Sequence, residues 1–275
     1  MEKRIPTQSI YDILSHLVGT VGVYIKVCKT QETLVINPDR IFPCASVIKI
    51  PMLGLLLRDG LKNKVMLDVP HSISEMNYVG GTGILNNLDH QFKPTLRDLG
   101  KLMIMMSDNT ATNEVMDVIG VERFEEFCQS EGYPNIIWQR KMMDFQAIKE
   151  GKNNYMCVGE IGDLLYRIST KSFISPEISE CIFNYMCEQK YRNKLPSLIP
   201  AVASYSGVVN EIPEGQVLVG NKTGDLVGIQ HDVGIFELPN HDKYVIAVFT
   251  GNLQKDIDGI TAIGKISEVM YDAMK

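Results

Sequence analysis

The stretch 42-FPCASVIKIPMLGLLLRDG-60 decides how the rest of the chain is read. Residues Val47 to Leu57 would be almost wholly apolar if Lys49 were not among them, and Ser46 stands three residues before that lysine. Such an apolar run predicts a buried helix. If Ser46 opens the helix, Ser46 and Lys49 are neighbours on one face. The hydroxyl then lies at a helix N-terminus, where backbone N–H groups and the dipole favour developing negative charge. Burial among Val47, Ile48, Ile50, Met52 and Leu53 penalises an ammonium, so Lys49 is fitted to accept a proton. A neutral amine within reach of a serine hydroxyl is an activated-nucleophile arrangement. Pro51 removes a helical N–H and is expected to bend or loosen that turn. The plain alternative is an N-cap serine beside a lysine that snorkels outward.

Two further stretches weigh against the plain alternative. "MIMMSDNTATN" places Ser107, Asp108 and Asn109 directly after an apolar helix. These are ordinary turn and cap residues, but Ser107 also offers a hydroxyl for proton relay and Asn109 an amide for holding substrate. "VGNKTGD" ends a strand with Lys222, Thr223 and Gly224: a positive charge, a hydroxyl, and room for close backbone approach. The same region, "GQVLVGNKT", nearly spells a phosphate-binding loop. Asn221 stands where that pattern needs lysine, and strand follows where it needs helix, so nucleotide binding is rejected.

S-x-x-K, S-D-N and K-T-G in this order resemble the class A β-lactamases and penicillin-binding serine hydrolases. "GGTGILNNL", "KLPSLIP" and "HDVGIF" extend the resemblance over most of the chain. It implies an α/β (α+β) fold of the β-lactamase/transpeptidase type: a five-stranded antiparallel sheet flanked by helices, plus an all-helical lobe. It implies acylation at Ser46 and hydrolysis of the acyl-enzyme. Lys49 would be the base and Ser107 the relay to the leaving nitrogen. Lys222 would orient Ser107 and, with Thr223, attract a substrate carboxylate; Asn109 would bind the substrate amide carbonyl. Gly224 lies beside an oxyanion hole made by the backbone N–H groups of Ser46 and Asp225. No metal or organic cofactor is needed.

The family pattern is incomplete. Class A β-lactamases carry a water-activating glutamate between S-D-N and K-T-G, with asparagine four residues later. That glutamate's place falls near Lys141 or Met142, and neither is an acid. Asp144 is the nearest carboxylate, with Ile148 four residues on; Glu150 has Asn154 at the required spacing. Either is a candidate deacylation base, or a solvated loop charge. Asp225 weakens attraction for an anionic substrate unless Lys222 or His231 compensates. His231 stands where some β-lactamases use arginine, although a lone histidine is more often structural. The expected substrate is therefore a β-lactam or peptide-like amide. A D-Ala-D-Ala carboxypeptidase, a small ester or amide hydrolase, and a covalent β-lactam receptor that stays acylated are the alternatives.

The totals agree with a folded catalytic chain. It has 275 residues, 45 % of them apolar and 22 % charged, and a net charge of −6, which gives a nucleic-acid partner no support. No apolar run approaches the roughly 20 residues a bilayer span needs. The N-terminus reads as a strand or turn, a helix over 7–18 and a strand, without a signal peptide's apolar core, and six cysteines without a CxxC pair read as reduced thiols. A cytoplasmic protein is expected; a processed exported one would look the same. Residues 1–45 with 201–275 are expected to form the sheet lobe and 46–200 a helical lobe, with a cleft where they meet.

Overall fold

A computed structural model describes residues 4–205, 207 and 211–275. Residues 1–3, part of the expected opening strand or turn, lie outside the described residues. The helices are α1 (Thr7–Ser15), α2 (Lys49–Leu61), α3 (Leu96–Met105), α4 (Asn109–Ile119), α5 (Val121–Glu131), α6 (Phe145–Lys149), α7 (Val158–Ser169), α8 (Pro176–Cys187) and α9 (Asp256–Met274). The strands are β1 (Thr20–Val27), β2 (Thr33–Ile36), β3 (Ile41–Pro43), β4 (Tyr155–Cys157), β5 (Leu218–Leu226), β6 (Ile229–Glu237) and β7 (Lys243–Gly251). The chain groups into two compact units. One runs to Val47 and resumes at Met156; the other is Ile48–Tyr155.

The first unit holds the expected five-stranded antiparallel sheet, in the order β2-β1-β7-β6-β5. Alternation along each strand divides its side chains between two faces. On one face Val23, Ile25 and Val27 of β1 lie opposite Val248, Ile246 and Tyr244 of β7. They form a core with Ile10 of α1 and Ile263, Ile266 and Met270 of α9. Each such aliphatic side chain removed from water contributes roughly 1.5–3 kcal/mol. Tyr24, between these residues, points to the other face, where Gly162 of α7 lies so close that a Cβ would sit 2.2 Å from its ring. Helices α7 and α8 pack on the sheet there. β5 is at the edge, with no further strand of the sheet beyond it among the described residues.

The second unit is helical. α2 is buried along almost its whole length, as befits a helix apolar all round. α3, α4 and α5 pack around it. α3 starts with a capping box, Thr95 Oγ1 accepting from the Asp98 N–H at 3.1 Å and the Asp98 carboxylate accepting from the Thr95 N–H at 3.0 Å.

The opening stretch departs from its sequence reading in two ways. Ser46 does not open an α-helix: Ala45–Ile48 is a tighter 3-10 turn and α2 begins at Lys49. Ala45, just before Ser46, takes a left-handed φ of 47°. Pro51 falls in the first turn of α2, where a missing N–H costs no intrahelical bond. Lys49 is wholly buried, as the reading of its apolar flanks expected.

Candidate active site

In the helical unit the Lys49 ammonium meets the S-D-N segment. Its Nζ donates to the Ser107 carbonyl at 2.8 Å, to Ser107 Oγ at 3.1 Å and to Asn109 Oδ1 at 3.0 Å. Ser107 is almost fully buried and has a left-handed φ of 49°. A non-glycine residue in that region costs of order 1 kcal/mol and persists only where its surroundings fix it. The fixing bonds are visible: the Ser107 carbonyl accepts from both Lys49 Nζ and Thr82 Oγ1, the latter at 2.6 Å.

Asp108 supplies the frame. One carboxylate oxygen caps α4 through the Ala111 N–H at 2.9 Å; the other accepts from the Ile84 and Leu85 N–H groups at 2.7 and 2.9 Å. The loop crosses Asp108 at Gly83, where a Cβ would lie 2.3 Å from the carboxylate. Asn109 is gripped at both ends, its Nδ2 donating to the Gly80 carbonyl at 3.1 Å. The glycines and threonine of "GGTGILNNL" thus hold the two S-D-N residues that touch Lys49.

In the sheet unit Ser46 is half-buried on its 3-10 turn. β5 runs against the same turn: a Cβ on Gly224 would lie 3.1 Å from the Cys44 carbonyl and 3.2 Å from Ala45 Cβ. Alternation puts Lys222 on that face of β5, with Gly224, and Thr223 and Asp225 on the other. Lys222 is wholly buried and donates to the Thr223 carbonyl at 3.0 Å. Burial pulls its pKa down to about 7, against the opposing pull of Asp225 and Asp232.

Asp225 makes its ion pair with neither Lys222 nor His231. Its ion-pair partner is Lys194, at 2.7 Å. Lys194 is wholly buried and also donates to the His231 carbonyl at 3.0 Å and the Gly224 carbonyl at 3.3 Å. The His231 side chain lies on the opposite face of the sheet, because its register partner is Gly224. There its ring stacks on Phe249, Nε2 donates to the Pro43 carbonyl at 2.9 Å, and Nδ1 accepts from the Thr250 N–H at 3.2 Å. Both nitrogens are committed to backbone, and burial pushes the imidazole pKa down to about 4. Beside Lys194, the buried Asp232 carboxylate accepts from Asn221 Nδ2 at 3.0 Å and the Leu195 N–H at 2.9 Å; burial pushes its pKa up to about 6.

The loop carboxylates take structural places. Asp144 caps α6 through the Ala147 N–H at 2.9 Å. Glu150 is exposed, 3.0 Å from Gln146 Nε2 and 3.3 Å from Lys152 Nζ, contacts that hold its pKa below the ordinary value. Asn154, four residues after Glu150, accepts from the Gln139 and Arg140 N–H groups at 2.9 and 3.0 Å. Asn113 of α4 clamps Met142 by its backbone, Oδ1 accepting from its N–H at 2.8 Å and Nδ2 donating to its carbonyl at 3.2 Å. Lys194, Asp232, Thr82 and Asn113 escaped the sequence reading. The one trace of Lys194 was its place at the head of "KLPSLIP".

Known proteins resemble this chain along nearly its whole length. The sequence model of the beta-lactamase enzyme family matches residues 5–274. A beta-lactamase from Bacteroides uniformis is 25 % identical over 284 residues, covering 97 % of this chain and 90 % of that protein. The crystal structure of a beta-lactamase from Sphaerobacter thermophilus superimposes with a TM-score of 0.85 at 27 % identity, covering 98 % of this chain and 97 % of that one. A point mutant of PBP-A, solved as an acyl-enzyme complex with penicillin G, has a TM-score of 0.83 at 22 % identity, over 99 % of this chain and 98 % of that one. At that identity the likeness is one of fold.

Proposed function

The chain belongs to the beta-lactamase enzyme family and is a serine β-lactamase-like hydrolase, and from that premise we propose that Ser46 is acylated by a β-lactam or a related peptide-like amide and that the acyl-enzyme clears slowly. The observation that carries this reading is the triple hydrogen bond of Lys49. It ties the lysine of S-x-x-K to Ser107 and Asn109 of S-D-N inside one buried cluster.

In the acylation step, Ser46 Oγ adds to the substrate carbonyl carbon and its proton passes to the Lys49 amine. The backbone N–H groups of Ser46 and Asp225 donate to the oxyanion. As the C–N bond breaks, the leaving nitrogen takes a proton from Ser107 Oγ, which is resupplied from Lys49. Lys222 and Thr223 bind the leaving-group side of the substrate, and Asn109 holds its amide. Water then adds to the ester and Ser46 leaves.

Slow clearance is inferred from the loop between S-D-N and K-T-G. Met142 has no carboxylate, Asp144 is spent on capping α6, and Glu150 is an exposed partner of Lys152.

The test is pre-steady-state opening of a penicillin, followed by absorbance. The expected trace is a burst of one equivalent per enzyme and then a much slower steady rate, with no burst in Ser46→Ala. A linear trace with no burst, equal in the variant, contradicts the proposal.

A further inference from the structure

We propose that His231 is a positioning residue for the nucleophile, its Nε2–H fixing the Pro43 carbonyl and, through it, the turn that carries Ser46. The inference rests on Ser46 being the residue that is acylated.

The segment from Phe42 to Ala45 lies across one face of the sheet, and that face is shaped to seat it. The Phe42 ring covers β1 and β7, where a Cβ on Gly22 would be 3.2 Å from it and one on Gly251 3.4 Å. It meets the Phe249 and His231 rings edge-on, with centroids 5.7 and 6.0 Å apart. Farther along, Cys44 and Ala45 press on Gly224 of β5. His231 of β6 stands between, the register partner of Gly224 on one side and of Phe249 on the other. Register partners share a face of the sheet, so the imidazole and the segment leading to Ser46 are on the same side.

The hydrogen bonds of the ring define its tautomer. A backbone N–H only donates, so Nδ1, which accepts from the Thr250 N–H at 3.2 Å, is bare and the ring proton is on Nε2. That proton is donated to the Pro43 carbonyl at 2.9 Å, three residues before Ser46. Thr250 is pinned in turn, its Oγ1 donating to the Gln230 carbonyl at 2.6 Å. Burial pushes the imidazole pKa down to about 4, so the ring keeps this form at neutral pH. The turn needs such a hold. Ala45 has a left-handed φ of 47°, a strained conformation that persists only where its surroundings fix it. Gly224 bounds the turn on one side, and the bond to Pro43 ties it on the other. A nucleophile misplaced by about 1 Å loses about a hundredfold in rate, so slack at Pro43 is read at Ser46.

Burst kinetics over a range of penicillin concentrations give three quantities for each enzyme. The amplitude counts folded active sites, the limiting rate constant reports acylation, and the half-saturating concentration reports binding. His231→Gln keeps an N–H at the end of the side chain for Pro43. His231→Asn is one carbon shorter, so its carbonyl can meet the Thr250 N–H but its amide falls short of Pro43. Both are neutral amides, and a residue that only filled space would not tell them apart. The limiting rate constant should stay within about fivefold of wild type in His231→Gln and fall about thirty- to a hundredfold in His231→Asn, with half-saturation within about threefold in both. His231→Phe keeps a ring against Phe249 without a donor; it should fall as His231→Asn does, and it takes the place of that variant should that variant not fold.

Equal rate constants in His231→Gln and His231→Asn, or a loss confined to the burst amplitude, overturn the positioning role and leave the Ser46 reading standing. No burst in the wild-type enzyme, or an equal burst in Ser46→Ala, overturns both.

Discussion

Of the three lysines wholly buried among the described residues, Lys49 in one compact unit and Lys194 in the other are caged by hydrogen bonds whose partners differ. Lys49 donates to a carbonyl, a hydroxyl and an amide oxygen, all neutral. Lys194 donates to two carbonyls and a carboxylate. The difference lies in what can flow back. Carbonyls and carboxylates only accept, so nothing around Lys194 has a proton to return. Around Lys49, Ser107 Oγ–H can rotate and donate to the nitrogen once the ammonium has lost a proton. In the proposed mechanism one cage fixes a cation and the other passes a proton through a serine. Burial alone does not distinguish them, since both lysines are wholly inaccessible.

The largest predicted effect breaks the proton-passing cage. Lys49→Met should slow acylation of Ser46 by at least about a thousandfold, and Ser107→Ala by about a hundredfold, measured as burst rate with a penicillin. Equal burst rates in wild type and Lys49→Met would show that the cage around Lys49 is only structural.

Supplying a carboxylate to the loop acts on the second half-reaction instead. Met142→Glu keeps the backbone clamped by Asn113 and should speed clearance of the acyl-enzyme by about ten- to a hundredfold with little change in the burst rate. Unaltered clearance would mean that residue 142 does not face the acyl group.

Lys194→Met addresses the fixed cage. Two buried carbonyls and a half-exposed carboxylate lose their donor, which should cost roughly 2 kcal/mol of stability by denaturant melt. A Lys194→Met melt superimposable on wild type would show that Lys194 does not hold Asp225 in place.

The last effect is a pH dependence near the Lys194 cage, small in the wild-type protein because two slopes oppose. The pKa of His231 is lowered from 6.5 to about 4, so the unfolded chain takes up this proton first and stability is lost as pH falls from about 6.5 to about 4. That of Asp232 is raised from 3.8 to about 6, so the folded chain takes up this proton first and stability is gained as pH falls from about 6 to about 3.8. Between pH 6 and 4 the two slopes oppose. Asp232→Asn should expose the loss on acidification and His231→Gln the gain, each about 1.4 kcal/mol per pH unit at most, read from denaturant melts across that range. Parallel pH profiles for wild type and both variants would contradict these assignments.

Much of the fold was legible because the strands alternate cleanly and the helices carry their own punctuation. Gly120 ends α4, and Thr95 with Asp98 opens α3. The last three strands and α9 fall where their patterns put them. The start of α2 was misread because helical spacing does not distinguish a tight 3-10 turn from the first turn of an α-helix. Of the candidate residues, Ser46, Lys49, Ser107, Asn109 and Lys222 were legible as motifs, since each motif is local in sequence. Lys194 was not, because its three acceptors lie 30 to 37 residues away and it reads alone as one more surface charge. His231 was misleading for a related reason: its spacing from Lys222 suggests a place in the site, but the register with Gly224 turns its ring away from Asp225.

The most direct test of acylation at Ser46 is intact-protein mass spectrometry through a time course with a penicillin, followed by peptide mapping. The predicted result is an adduct of one penicillin mass on Ser46 that forms quickly, outlasts many multiples of its formation time, and never forms in Ser46→Ala. No adduct under any condition, or an adduct of equal yield in Ser46→Ala, would contradict it.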